Sequence, residues 1–408
     1  MRTIIIIGKN FGDEGKGLAT DYFSSACKKT LVVRHNGGAQ SGHTVELATP
    51  QKRFVFHELS SGSFRKASTL WADTFYPDLI KLGEEIESFY AVSNFIPCIY
   101  AMEDTCITIP DDILINMAIE SSRGTDRHGS CGMGINECDL RIKAGYGIKM
   151  LTLKKMNVND LANELLTIRN IYTKKRLKEV ESILNQNADY YLELLSNDNV
   201  IRNAADTIIA NMNYVNVISE SILKELLNDI EVLIFESGQG LLLDRDNVEY
   251  SPNVTASNTG LKNSYEFLKR LGYEIDEVVY VSRTYVTKHG AGKLHNECPK
   301  AALGQIETDN TNEPNIWQGE IRYAKHENIE KFVSEVNKDI SSYDFKNTTV
   351  SLFLTHLNET NNSVVMNNDN ISIDKFIKIP TIKQTFNKIY LSNNRFSNDV
   401  LNRLGDVL

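Results

Sequence analysis

The stretch Thr3–Gly17 reads TIIIIGKNFGDEGKG, and how it folds decides the architecture of the chain. Four consecutive isoleucines, Ile4 to Ile7, are too apolar for a strand with one wet face. β-branched residues bounded by Gly8 predict a strand buried on both sides, as in a parallel sheet. Gly8, Gly12, Gly15 and Gly17 follow, with Asp13, Glu14 and Lys16 set among them. A glycine-rich loop leaving a buried strand lets backbone N–H groups approach a phosphate, and a following helix adds its positive end. Lys16 supplies a point charge there, and Asp13 can hold Mg²⁺ or take a proton. The loop is not a Walker A motif, which needs a Gly where this chain has Asn10 and a Ser or Thr where it has Gly17. A plain glycine-rich turn with solvated charges is the alternative, and the coincidence of all these features speaks against it.

Composition narrows the class. The 408 residues are 41% hydrophobic and 24% charged, enough to bury a large core in one α/β unit. A net charge of −9 argues against general nucleic-acid or anionic-membrane binding, but a local positive pocket for anionic small molecules is compatible with it. No apolar run approaches the length of a membrane helix, and the N-terminus lacks the pattern of a signal peptide. Cys27, Cys98, Cys106, Cys131, Cys138 and Cys298 form no CxxC pair, which predicts free thiols in a reduced, cytoplasmic protein. Cys131 and Cys138, with His128 nearby, fit no zinc spacing well.

Further strand-and-loop units follow in order. Leu31–Arg34 predicts a second strand, running into a loop with Gly37, Gly38, Gly42 and His43-Thr44. A His in a second glycine-rich loop after a strand is a catalytic candidate, because doubly wound sheets place ligands at such strand ends. Leu79–Tyr90 has helical spacing, residues 92–115 with Pro97 and Pro110 suggest strands and turns, and Arg123 to Ile135 is a third glycine-rich segment. Residues 151–228 carry helical stripes, among them Ile218, Ile222 and Leu226, that predict packing rather than chemistry. Glu231–Phe235 predicts a buried strand entering Glu236-Ser-Gly-Gln239-Gly240, and a hydroxyl- and amide-rich run around Thr255 comes soon after. Val278–Val281, Ser351–Leu354 and Ile389–Leu391 predict the late strands. The fold expected is α/β, a large mostly parallel sheet with glycine-rich nucleotide loops at its strand ends. It is P-loop-NTPase-like without a Walker A, a single domain over residues 1–408 with a helical subregion at about 151–228.

Taken in order, these loops resemble those of the adenylosuccinate synthetase family. FGDEGKG (11–17) is similar to WGDEGKG, GGAQSGHTV (37–45) to GG-x-NAGHTV, and ESGQGLLLD (236–244) to EGAQGTLLD. HGSCGMGI (128–135) is similar to GTTGRGIG, PNVTASNT (252–259) to P-x-VTSSNT, and TKHGAG (287–292) to TRVGAG. The resemblance implies a homodimeric carbon–nitrogen ligase of purine biosynthesis that joins aspartate to C6 of IMP. Mg²⁺ and GTP would phosphorylate the purine 6-oxygen before the aspartate amine displaces that phosphate. It implies Asp13 as base, His43 as donor to the transferring phosphoryl group, and Lys16 with Gly12, Glu14, Gly15, Gly17 and Thr44 around the triphosphate. Asp13 and the Gly42 carbonyl would hold the metal. Gln40, Ser130, Cys131, Gln239 and Thr255 would hold the purine monophosphate, with Arg141 as the basic group reaching across the dimer.

Three departures stand out. The guanine-reading TKLD is Thr355-His356-Leu357-Asn358 here, so ATP becomes a plausible donor because Asn358 is a neutral acceptor with an added donor. The aspartate-binding TTGR-x-RR reads from Asn315 through Gln318 and Glu320 to Arg322, with Glu320 where an Arg is expected and Arg322 retained for the substrate carboxylate. Gln40 stands where the family has Asn beside the purine. These changes resemble a branch that includes phage enzymes acting on dGMP, although the intact Asp13 favours IMP. The rival from another class is a nucleotide-binding regulator without synthesis, and retained Asp13, Lys16 and His43 argue against it.

Overall fold

The computed structural model describes residues 1–26, 29–124, 127, 129–307, 319–345 and 347–403. Cys27, His128, Asn315 and Gln318 lie outside the described residues.

Ten strands form the central sheet. In chain order they are β1 (Arg2–Gly8), β2 (Thr30–Arg34), β3 (Ser68–Trp71), β4 (Ile99–Met102), β5 (Val215–Ile218), β6 (Val232–Gly240), β7 (Glu277–Arg283), β8 (Thr349–Thr355), β9 (Lys388–Leu391) and β10 (Leu401–Arg403). Their spatial order is β10-β9-β8-β7-β1-β6-β2-β3-β4-β5. Every pairing is parallel except β9 with β10. The isoleucine run thus lies at the middle of the sheet, between β6 and β7.

Period-2 alternation sends the run to both faces. Ile5 and Ile7 join Leu31, Val33, Leu233, Phe235, Val278 and Tyr280 on one side. Ile4 and Ile6 join Val32, Ile234, Val279 and Val281 on the other. Helix α1 (Lys16–Ser25) covers the second face through Leu18, Ala19 and Phe23. Phe267, Leu268 and Leu271 of the helix Lys262–Leu271, with Phe332, Val333 and Val336 of Ile329–Ile340, cover the first. Burying such side chains contributes roughly 1.5–3 kcal/mol each, which is why four isoleucines in a row are affordable only here.

Two expectations need correction. Pro110 does not close a strand-and-turn region; it begins a helix, Pro110–Arg123, at a first-turn position where its missing N–H costs nothing. Ile218 is not part of a helical stripe: Val215–Ile218 is the edge strand β5, and the helix begins at Glu220. Leu79–Ser93 is helical as expected, capped by Asp78, whose carboxylate accepts from the Ile80 and Lys81 N–H groups.

Two adjacent carboxylates in the first turn of Pro110–Arg123 tie that helix to its neighbours, Asp111 to the helical subregion and Asp112 to the segment that carries Arg141. Asp111 accepts from Arg169 and Thr173, while Asp112 accepts from Arg141. Among the described residues no helix is long and apolar enough to cross a membrane. Cys98, Cys106, Cys131, Cys138 and Cys298 are free thiols, and no group of three or more His, Cys, Asp or Glu among the described residues could hold a metal ion.

Candidate active site

Five neighbouring strands, β8-β7-β1-β6-β2, send their carboxyl ends to the same edge of the sheet. The loops that leave them line a cavity of about 430 Å³, bordered by Asp13, Lys16, Gly42, His43, Arg283, Thr355 and Asn358. This is where open parallel sheets bind ligands, because successive loops diverge there and expose backbone N–H groups.

The first loop has an internal brace. Glu14 Oε1 accepts from the N–H groups of Asn10 (2.9 Å) and Gly12 (2.8 Å), and its Oε2 lies 3.0 Å from Lys16 Nζ. Glu14 therefore holds the loop's shape from inside through its carboxylate. Gly12 and Gly15 adopt φ of +104° and +96°, a region open to glycine at little cost. Gly17 must be glycine for another reason: a Cβ there would lie 2.8 Å from the Thr44 carbonyl, the point where the first two loops touch.

Asp13 sits at φ +57° between these glycines. His289 Nε2 lies 3.2 Å from its Oδ2, Arg283 Nη2 lies 3.7 Å from the same oxygen, and Arg283 Nε donates to the Asp13 carbonyl at 2.6 Å. Burial pushes the Asp13 carboxyl up, but the His289 hydrogen bond and the Arg283 charge outweigh it and hold it well below the usual carboxylate range.

His43 faces the cavity from the second loop. Its Nδ1 lies 2.9 Å from Glu236 Oε1 and 3.2 Å from Arg34 Nη1. The carboxylate contact is the closer one and favours the proton on Nδ1 over acceptance from Arg34. Nε2 is buried with no hydrogen-bond partner among the described residues. Burial lowers the His43 pKa against the opposing pull of Glu236, so the resting imidazole is neutral. Arg34 completes the triad, donating to Glu236 at 3.3 Å and to Ser41 at 2.8 Å. Register explains this: Arg34, the last residue of β2, is the direct partner of Glu236 in the middle of β6.

A second set of polar groups lies around these loops. Both amide atoms of Gln40, the Gln239 Oε1 and the Asn36 Nδ2 are buried and unpartnered among the described residues. Unsatisfied buried amides are unusual in a finished interior and suit the edges of a base. Thr255 is half-buried, its N–H bound to the Leu243 carbonyl. Ser130 donates to Asn116 at 3.0 Å and Cys131 is half-buried in the same segment, where burial raises its thiol to about 11. That segment touches the His289 loop, since a Cβ on Gly129 would lie 2.7 Å from Gly290 Cα.

Two expected contacts are engaged elsewhere. Arg141 is fully buried and forks onto Asp112, with Nε at 2.9 Å and Nη2 at 2.8 Å, and donates to the Ile107 and Tyr146 carbonyls. It is spent within its own chain rather than reaching across a dimer, tying the helix Pro110–Arg123 to Ile107 and Tyr146. We expect Arg141→Ala to lower stability by about 3–5 kcal/mol in urea unfolding, because it leaves a buried carboxylate unpaired. A raised substrate KM with unchanged stability would contradict this assignment. Arg322 is spent on Glu297 (2.8 Å) and on the Gly290 and Gly292 carbonyls, so in this conformation it grips no substrate carboxylate. Glu320 is exposed. Sequence reading gave no role to Arg34, Glu236, Arg283 or His289. A charged residue ending an otherwise buried run was the available signal for the first three.

Comparison with known proteins agrees with this geometry. A family model for adenylosuccinate synthetase matches residues 5–319. Relatives include the adenylosuccinate synthetases of Mesoplasma florum, 27% identical over 73% of this chain and 65% of that protein, and of Thermosipho africanus, 29% identical over 72% and 66%. The chain thus spans just under two thirds of the length of these curated relatives. Among solved structures, fully ligated adenylosuccinate synthetase from Plasmodium falciparum shares the fold at TM-score 0.67 and 18% identity, covering 99% of this chain and 100% of that one. The succinoaminodeoxyadenylate synthetase of cyanophage S-2L, bound to dGMP and to dATP as an energy donor, does so at 0.61 and 14%, covering 98% and 95%. With more than half its length under one family model, the chain belongs to the adenylosuccinate synthetase family.

Proposed function

We propose that this protein is a carbon–nitrogen ligase that joins aspartate to C6 of a 6-oxopurine mononucleotide, IMP foremost, driven by a nucleoside triphosphate. The observation that carries the reading is the pairing of Asp13 and His43 on facing loops of one cavity, each with its own supporting partners. A binding module needs neither a braced carboxylate nor an imidazole with a carboxylate behind it.

In this reading Asp13 takes the N1 proton of the purine, and the electron pair moves onto the 6-oxygen, which attacks the γ-phosphorus as the bond to the β–γ bridging oxygen breaks and nucleoside diphosphate leaves. His43 stands by the transferring phosphoryl group. Arriving phosphate charge favours the imidazolium, so Nε2 gains a proton and donates to the anionic oxygens while Glu236 holds Nδ1–H. Lys16 and the N–H groups of Gly15 and Gly17 neutralise the triphosphate, with Thr44 alongside. Gln40, Gln239 and Thr255 receive the mononucleotide, and Ser130 and Cys131 its phosphate. The amine of aspartate then attacks C6 and gives up a proton to solvent, and phosphate leaves with the electron pair of the C6–O bond.

Mg²⁺ fits the donors present: one carboxylate, Asp13, and the exposed Gly42 carbonyl line the same cavity, a hard-oxygen set that leaves other positions to water and phosphate. When bound, the metal neutralises charge on the triphosphate. A homodimer is the assembly implied by the family, and light scattering checks it.

A second reading keeps the chemistry and changes the base to a 2-aminopurine such as dGMP. It is favoured by Gln40 Oε1, a buried acceptor with no partner among the described residues, suited to an amino group at C2. Phosphate release measured with Mg²⁺, aspartate and IMP, GMP or dGMP tests both. We expect turnover that requires mononucleotide and aspartate together, with IMP preferred. Turnover with dGMP alone moves the assignment to the second reading, and no release from folded protein rejects both.

A further inference from the structure

A second cavity, of about 40 Å³, adjoins the start of the first loop. Phe11, Leu242, Tyr250, Val286 and Phe332 give it an apolar wall, and Lys9 lines it among them. Lys9 is 4% exposed. An ammonium group has three N–H donors. Lys9 uses one, to the neutral amide oxygen of Asn10 at 3.1 Å, and its Nζ lies 4.1 Å from the centre of the Phe332 ring. Among the described residues no carboxylate pairs with it at contact distance. Glu335, Glu14 and Glu327 favour the charged form from further off and Lys331 opposes it, but burial outweighs them and lowers the amine to about 8. The remaining titratable groups of the wall are engaged or only partly buried. His326 is kept neutral by burial and bonds to the Arg283 carbonyl at 3.0 Å, His295 and Lys331 are bound to Glu249, and Lys325 is half-buried.

We propose that Lys9 is a nucleophilic lysine and an acylation site, its cavity admitting the acyl end of a short acyl phosphate, with acetyl the size that fits. A buried amine without an ion pair gives up its proton readily, and the free amine is the nucleophile. At pH 7.5 an amine with a pKa of about 8 is about one quarter unprotonated, against about one in a thousand for an ordinary lysine near 10.5. One water needs roughly 10–15 Å³ of such space, so the cavity has room for about three, enough for an acetyl group and too little for a long acyl chain. The Nζ lone pair attacks the acyl carbon, the bond from that carbon to the phosphate oxygen breaks, and phosphate leaves with the electron pair. Nζ sheds one proton to solvent, and the product is a neutral amide, which an apolar wall tolerates better than an ammonium. The step cancels a positive charge at the root of the loop that carries Asp13. A lowered pKa is not sufficient for this. Burial also brings Lys288 to about 8, but its Nζ donates to the His289 and Ala291 carbonyls and it does not line the cavity.

The test is limited labelling of the folded full chain with acetyl phosphate, the modified lysines being located by peptide mass spectrometry. At pH 7.5 Lys9 is expected to acetylate about tenfold or more faster than the exposed Lys155 and Lys178 and than Lys288, the excess of free amine outweighing the weaker base. Its rate should level off with a midpoint near pH 8, while the exposed lysines keep gaining beyond pH 9. Phe11→Trp, the residue that WGDEGKG carries there, puts a larger ring into the cavity wall. It should slow Lys9 by about fivefold or more and leave the exposed lysines unchanged. Lys9 labelled no faster than the exposed lysines, a Lys9 rate still climbing at pH 9.5, or an unchanged Lys9 rate in folded Phe11→Trp each overturns the proposal. The first two readings need only the unmodified chain, so they decide even where the variant fails to fold. No nucleotide or aspartate enters the assay, and its outcome stands apart from that of the ligase reaction.

Discussion

Asp13→Asn is expected to lower kcat by about 10³-fold or more while the protein stays folded and still binds nucleotide. The amide has nearly the shape of the carboxylate but cannot take the N1 proton. Asn also tolerates a left-handed backbone better than most residues, so φ +57° adds little strain to the variant. Arg283 keeps its bond to the residue-13 carbonyl, which anchors the loop from the main chain. Single-turnover measurement of phosphoryl transfer, with thermal unfolding as the control, reads the two effects separately. A kcat within about threefold of the parent would remove Asp13 from the chemistry and favour a regulatory nucleotide-binding protein.

His43→Asn should cost about 10²–10³-fold in kcat with a small change in the KM for the mononucleotide. Asn can still donate to Glu236 from about the place of Nδ1, so the Arg34–Glu236 pair keeps its neighbour and only Nε2 is lost. A raised KM with unchanged kcat would make His43 a binding group. The pH profile adds a check. Burial lowers the His43 pKa, so it sheds its proton below the ordinary histidine range. kcat/KM, which reports the free enzyme, should then show no His43 inflection at about pH 6–7.

The sheet was legible because its strands are buried on both faces, and Ile4–Ile7, Leu31–Arg34 and Val278–Val281 need no partner to announce that. The loops were legible because their glycines and charges are contiguous. What the chain did not disclose depends on residues far apart in sequence. Arg141 reads as a free basic group until Asp112, 29 positions upstream, is seen to take its guanidinium. Arg34 and Glu236 stand 202 apart and meet only through strand register. Val215–Ile218 is too short for periodicity to separate strand from helix, and its place on the sheet edge decided the matter.

The left-handed turn at position 13 also bears on how this lineage can change. Few side chains sit comfortably at φ +57° between two glycines. Asp and Asn are among those that do, and their codons differ by a single base. On the proposed reaction, one nucleotide change therefore separates a ligase from a folded protein that binds nucleotide and makes nothing. Descendants that abandon catalysis for sensing have a short road, open without any rebuilding of the loop.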